Sequence, residues 1–283
     1  MGCSSRGPCA SAGVVRIRTA NHSTTTTSQT ASCRKRSSAD PTQRTATARL
    51  ANATVREPMA EIRNVRGAAR IMCRVASQVE TIGDEALIEQ MNREAGAKLL
   101  DRIGPAVLLT HSQAGVIGWS VADERPQLVK GVLAIEPSGP PIRETVAKGA
   151  PDYFEDGVVA RPWGVTRGRI TFDPPAQTPG DLKLVRQEQA DGTGLVRCFL
   201  QAEPARQMPH LRGIPILILV SEASYHAPYD HCTAKFLEQA GVKNSFVKLT
   251  DRGIRGNGHM MMLEKNNLEI AALLRRWEQD NVR

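Results

Sequence analysis

The chain has 283 residues, 37 Lys and Arg against 29 Asp and Glu, and a formal charge of +8. That length fits one large domain or two small ones, and no apolar run approaches the roughly 18 residues of a membrane span, so a soluble chain is expected. The charge would suggest a nucleic-acid binder if it were spread evenly, but residues 1–80 carry 13 basic against 4 acidic side chains (+9) and residues 81–283 carry 24 against 25 (−1).

All eleven aromatic residues fall at or after Trp119. A segment without aromatics buries little area per residue and does not offset its chain entropy. The run Ser23-Thr24-Thr25-Thr26-Thr27-Ser28 adds low complexity, and Asp40 is the first acidic residue. Residues 1–82 are therefore expected to be an atypical basic segment, disordered or mis-translated, and not a packed domain. Its scattered charges have no stacking platform, so no nucleic-acid partner is expected. The six cysteines (Cys3, Cys9, Cys33, Cys73, Cys198, Cys232) show neither a CxxC pair nor metal-ligand spacing. No metal and no cofactor are expected.

From Gly83 the pattern becomes coherent. Asp84 is placed to cap a helix whose apolar residues Leu87, Met91, Ala95 and Leu99 recur every four positions up to Gly104-Pro105. A buried strand follows at Ala106–Thr110, then the turn His111-Ser112-Gln113, then a helix over about 114–124 closed by Pro126. Strands are predicted at 131–135, 214–220 and 245–249, with helices at about 229–239 and 264–277. Continuous apolar strands alternating with amphipathic helices predict an α/β fold with a mostly parallel sheet covered on both faces. The Pro- and Gly-rich stretch 137–213 is too long for a plain connection, and a cap insertion is expected there.

Strand, sharp turn with a serine, then helix is the layout of a nucleophile elbow. Such a turn needs small residues close to the serine. Ala114 and Gly115 supply them on one side, while Thr110 stands where glycine is commoner. Ser112 is the candidate nucleophile, and the Gln113 backbone N–H, at the helix N-terminus, is the candidate oxyanion donor. A serine hydroxyl needs a base oriented by a third group. His259, in the glycine-rich loop Gly256-Asn257-Gly258-His259-Met260 after the last strand, is the candidate base. His111 is adjacent to Ser112, so its side chain should point elsewhere and pack beside the elbow. Two carboxylates end parallel strands at the same sheet edge, Glu136 and Glu222, and spacing alone leaves both open as the acid.

The stretches Leu109–Gly115, Ala134–Pro140, Glu222–His226 and Gly256–Met262 resemble the alpha/beta-hydrolase superfamily, and more closely a small esterase group of unusual topology. The likeness covers residues 83–280. In that group a glutamate after the strand following the elbow is the acid. The resemblance therefore implies Ser112, His259 and Glu136 as a triad, with Glu222 as the alternative acid. It also implies a carboxylic-ester hydrolase working through an acyl-enzyme on a small-molecule ester. The usual N-terminal strands and their oxyanion loop have no counterpart before Ala106. Losing one oxyanion donor costs about 10² to 10³ in kcat, which makes an impaired or inactive hydrolase-like remnant the rival expectation.

Overall fold

A computed structural model describes residues 82–149 and 153–283, together with the backbone of residues 15–17. Among these, a five-stranded sheet runs in the order β1 (Val15–Ile17), β2 (Ala106–Ser112), β3 (Val129–Pro137), β8 (Ile216–Val220), β9 (Ser245–Lys248). The pairs β2–β3, β3–β8 and β8–β9 are parallel, and β1 is antiparallel to β2. Apart from β1 and Ile82, the segment 1–82 lies outside the described residues.

Successive side chains of a strand face opposite sides of the sheet, and here both sides are covered. Leu133, Ile135, Leu217 and Leu219 pack with Ile270, Leu273 and Leu274 of helix α4 (Asn267–Asn281). Val132, Ala134, Ile216 and Ile218 belong to the other core. That core also contains Leu100 of α1 (Glu85–Ile103), Trp119 and Val121 of α2 (Ala114–Glu124), and Phe236 and Leu237 of α3 (Asp230–Gln239). Two-sided burial is why β3 and β8 read as unbroken apolar runs.

Helix α1 starts at the expected cap, where Asp84 Oδ1 accepts from the N–H groups of Ala86 and Leu87, both at 3.0 Å. It buries an unexpected face. Leu87, Met91 and Leu99 are exposed, whereas Glu89, Ala97 and Leu100 are buried. The helix approaches α2 closely at Gly96, where a Cβ would lie 2.6 Å from Val121 Cγ2. Glu89, on that face, accepts from Ser120 Oγ at 2.7 Å and from the N–H groups of Arg167 and Gly168 at 2.8 and 3.1 Å. Its carboxyl is raised above the usual range by burial, against the pull of these donors.

The insertion between β3 and β8 holds two antiparallel hairpins, β4 (Ile142–Ala147) with β5 (Phe154–Arg161) and β6 (Leu184–Arg186) with β7 (Phe199–Gln201). It is tied to α1 through Glu89, to α2 through Asp123, which accepts from Thr171 N–H at 3.2 Å, and to α3. The tie to α3 includes a disulfide, Cys198–Cys232, across 34 positions. Closing a loop of that size removes about 3.8 kcal/mol of unfolded-chain entropy. Converting both cysteines to serine should lower the melting temperature by about 8–15 °C, given roughly 2–4 °C per kcal/mol for a domain of this size. Circular-dichroism melts of the double variant beside the parent check this, and coincident curves would refute it.

Candidate active site

Ser112 is the last residue of β2 and lies at φ +56°, in the left-handed region that few non-glycine residues adopt. Gln113 follows at helical φ, and α2 begins at Ala114. The bend brings α2 against β3 so closely that a Cβ on Gly115 would stand 2.4 Å from Pro137 Cβ and 2.7 Å from Pro137 Cα. Because backbone is involved, only glycine serves there. One turn on, Gly118 makes room for Thr110: a Cβ at 118 would meet Thr110 Cγ2 at 2.8 Å. The bulk absent from helix position 118 is what lets a threonine sit where this bend more often has glycine.

Glu136 owes its position to an irregularity in β3. His111 pairs with Ile135 and Ser112 pairs with Pro137, so Glu136 is the extra residue of a bulge opposite the elbow, at φ +43°. A bulge re-aims a side chain, and this one turns the carboxylate under the sheet edge, where it is fully buried. Burial of a carboxylate is costly without donors. Four converge on it. Ser221 N–H reaches Oε1 at 2.9 Å and Ser221 Oγ bonds the same oxygen, while Ser224 Oγ and His259 Nδ1 each reach Oε2 at 2.6 Å.

The second nitrogen of His259, Nε2, lies 2.9 Å from Ser112 Oγ. Ser112, His259 and Glu136 thus form one continuous hydrogen-bonded path. The Tyr225 hydroxyl stands 3.3 Å from the same Nε2, on an exposed side chain. His111 lies beside the elbow, where its Nε2–H donates to the His259 carbonyl at 2.9 Å, and burial lowers its pKa. The Gln113 side chain makes no cap bond at the start of α2, which leaves the helix N-terminus, with the Gln113 N–H, able to meet an anion.

Glu222 does something else. Its Oε1 takes Arg255 at 3.0 Å and its Oε2 accepts the Gly256 N–H at 2.9 Å. Together with Ala223 N–H to Asn257 O (2.9 Å) and Gly258 N–H to Glu264 Oε1 (2.8 Å), it pins the loop that carries His259. Of the two carboxylates left open by spacing, Glu136 is the one in contact with the imidazole.

Ser221, Ser224 and His226 were not singled out for this site from the sequence. The pair Ser221-x-x-Ser224 directly after a buried strand was the available signal: two short hydroxyls at a sheet edge can reach a carboxylate on the neighbouring strand. His226, at 1% exposure, stacks on His259 with ring centroids 4.7 Å apart and planes 4° from parallel. Among the described residues, two groups of side chains have metal-ligand chemistry. In Cys198, His231 and Cys232 the sulfurs are bonded to each other. In His111, Glu136 and His259 the donor atoms are already engaged in the hydrogen bonds above.

A secreted-lipase relative, named probable secreted lipase phiG, from a fungal species (strain ATCC 74256), is 47% identical over 207 residues, covering 72% of this chain and 54% of the relative. The chain thus spans about half the length of that relative. A solved bacterial esterase is 21% identical over 66% of this chain and 42% of its own, with a TM-score of 0.39. The monoacylglycerol lipase of Paleococcus ferrophilus is 15% identical over 65% and 74%, with a TM-score of 0.34. The pattern of the alpha/beta hydrolase family matches residues 40–273, and this chain belongs to that family.

Proposed function

We propose that the chain is a serine hydrolase of carboxylic esters that works through an acyl-enzyme. The observation that carries this reading is the unbroken path from Ser112 Oγ to His259 Nε2 (2.9 Å) and from His259 Nδ1 to Glu136 (2.6 Å). Ser112 attacks the acyl carbonyl and its proton passes to Nε2. The imidazolium, oriented and stabilised by Glu136, returns that proton to the departing alcohol. Water then attacks the acyl-enzyme with His259 again as base, which frees the acid and restores Ser112. The Gln113 N–H stabilises the oxyanion in both halves. The lipase relative supports a small-molecule ester substrate. The disulfide and that relative's description as secreted support an oxidising compartment.

An alkyl fluorophosphonate carrying a fluorophore tests the reading, because it phosphonylates a serine only when a base activates it. The full chain should label stoichiometrically with loss of fluoride, and Ser112→Ala should not label. A parent chain that stays unlabelled would overturn the proposal in favour of an inactive remnant.

A further inference from the structure

We propose that His226 is a positioning residue for His259: its ring forms a flat wall that holds the imidazole in the plane linking Ser112 to Glu136. The inference rests on the function proposed above. It begins with a buried histidine that the proton path does not use. His226 bonds to neither Ser112 nor Glu136, yet it covers one face of the His259 ring at a 4.7 Å centroid distance, with the planes only 4° apart. Stacking alone is weak in orienting a ring. Here the wall is itself fixed from three directions.

The first is a hydrogen bond of 3.0 Å between His226 Nδ1 and Asp230 Oδ1, one helical turn away at the start of α3. The second is aromatic: Tyr225 and Tyr229 lie tilted against the His226 ring at 4.5 and 4.9 Å. The third is the backbone, where His226 N–H donates to Ser224 Oγ at 3.1 Å, the same hydroxyl that donates to Glu136. One short segment, Ser221 to Asp230, therefore holds both the acid and the ring that leans on the base. His111 also lies against His259, at 4.4 Å between centroids and tilted by 34°.

Charge is consistent with this role. Burial lowers the His226 pKa to about 4, and burial raises Asp230 well above its ordinary value. His226 is therefore neutral at neutral pH, so the wall adds no positive charge beside the cation that forms on His259 during turnover. A positively charged neighbour at 4.7 Å would oppose that step.

Two substitutions separate the ring from its hydrogen bond. His226→Asn keeps an amide N–H near the position of Nδ1, so it can still bond Asp230, but it removes most of the flat surface. His226→Phe keeps the surface and loses the bond. Both are compared with the parent chain by hydrolysis of p-nitrophenyl butyrate, by thermal melting, and by the downfield proton resonance of the His259 Nδ1–Glu136 hydrogen bond. His226→Asn should lower kcat about 10- to 100-fold with KM unchanged, as expected of a misplaced base. Its downfield resonance should broaden or vanish although it melts near the parent. His226→Phe should recover most of kcat and the resonance.

Parental kcat and resonance in His226→Asn would overturn the proposal. So would equal losses in both variants that track their melting temperatures, since the residue would then act only through the fold. If the parent chain neither labels with fluorophosphonate nor hydrolyses ester, the proposed function fails, and the resonance decides the positioning role without it.

Discussion

Glu136→Gln is expected to lower kcat by about 10⁴ with little change in KM, whereas Glu222→Gln stays within a few-fold of the parent. The asymmetry follows from what each carboxylate touches. His259 can accept a proton from Ser112 only if Nε2 is the unprotonated nitrogen, which requires Nδ1–H to donate to Glu136 across the observed 2.6 Å. An amide at 136 has one acceptor oxygen for four converging donors. If its NH₂ faces the histidine, the imidazole must reverse its tautomer and present Nε2–H to the nucleophile. If its oxygen faces the histidine, the NH₂ meets Ser221 N–H, a donor against a donor in a buried site. The first arrangement removes the base, and the second keeps it only by leaving two buried donors face to face, which disfavours it. Glu222 holds Arg255 and the Gly256 N–H on an exposed loop, where an amide oxygen still accepts one of the two bonds. Steady-state rates on p-nitrophenyl butyrate decide it, and a large loss at 222 with a small one at 136 would exchange the two roles.

Glu136 also shows how far the sequence could be read. The strands β2, β3 and β8 were legible because burial on both faces turns each into a continuous apolar run. The elbow was legible because its backbone demands small side chains at fixed offsets from Ser112. Neither argument reaches Glu136. Its position depends on one bulged residue in β3, and a bulge leaves no composition signal when the extra residue is itself polar. Helix α1 shows a related gap. Its apolar stripe Leu87, Met91, Ala95 and Leu99 is exposed, while the face it buries is chosen by close approach at Gly96 and by the bonds of Glu89 to Ser120 and the insertion. Periodicity measures hydrophobicity, and that packing was decided by backbone distance and polar pairing. The hairpins β4–β5 and β6–β7 are short, mixed in polarity and defined by their partners, so a single-segment pattern did not predict them. Helix α4 starts at Asn267, about a turn later than expected, because Glu264 is drawn out of the helix to bond Gly258 N–H. The Cys198–Cys232 pairing joins residues brought together only by the fold.

Ser112→Ala carries the largest expected effect, a fall in kcat of about 10⁵ to 10⁶. The substitution is small and local: alanine at φ +56° is no more strained than serine, and the lost hydroxyl belongs to a half-buried side chain at the mouth of the bend. The binding surface is untouched, so KM should move little and the melting temperature should hold. What remains is the oxyanion donor and substrate placement, which still exceed uncatalysed hydrolysis by about 10³ to 10⁴ in related architectures. The magnitude separates two mechanisms that share the same three side chains. If His259 instead activated water directly, Ser112 would be a bystander and its removal would cost no more than about tenfold, since general-base catalysis by the histidine would survive. A second comparison sharpens the result. Residues that act as one unit are not additive, so Ser112→Ala combined with His259→Ala should be scarcely slower than either alone. Losses that multiply would mean that nucleophile and base contribute separately, and the 2.9 Å contact between them would then be proximity without shared chemistry.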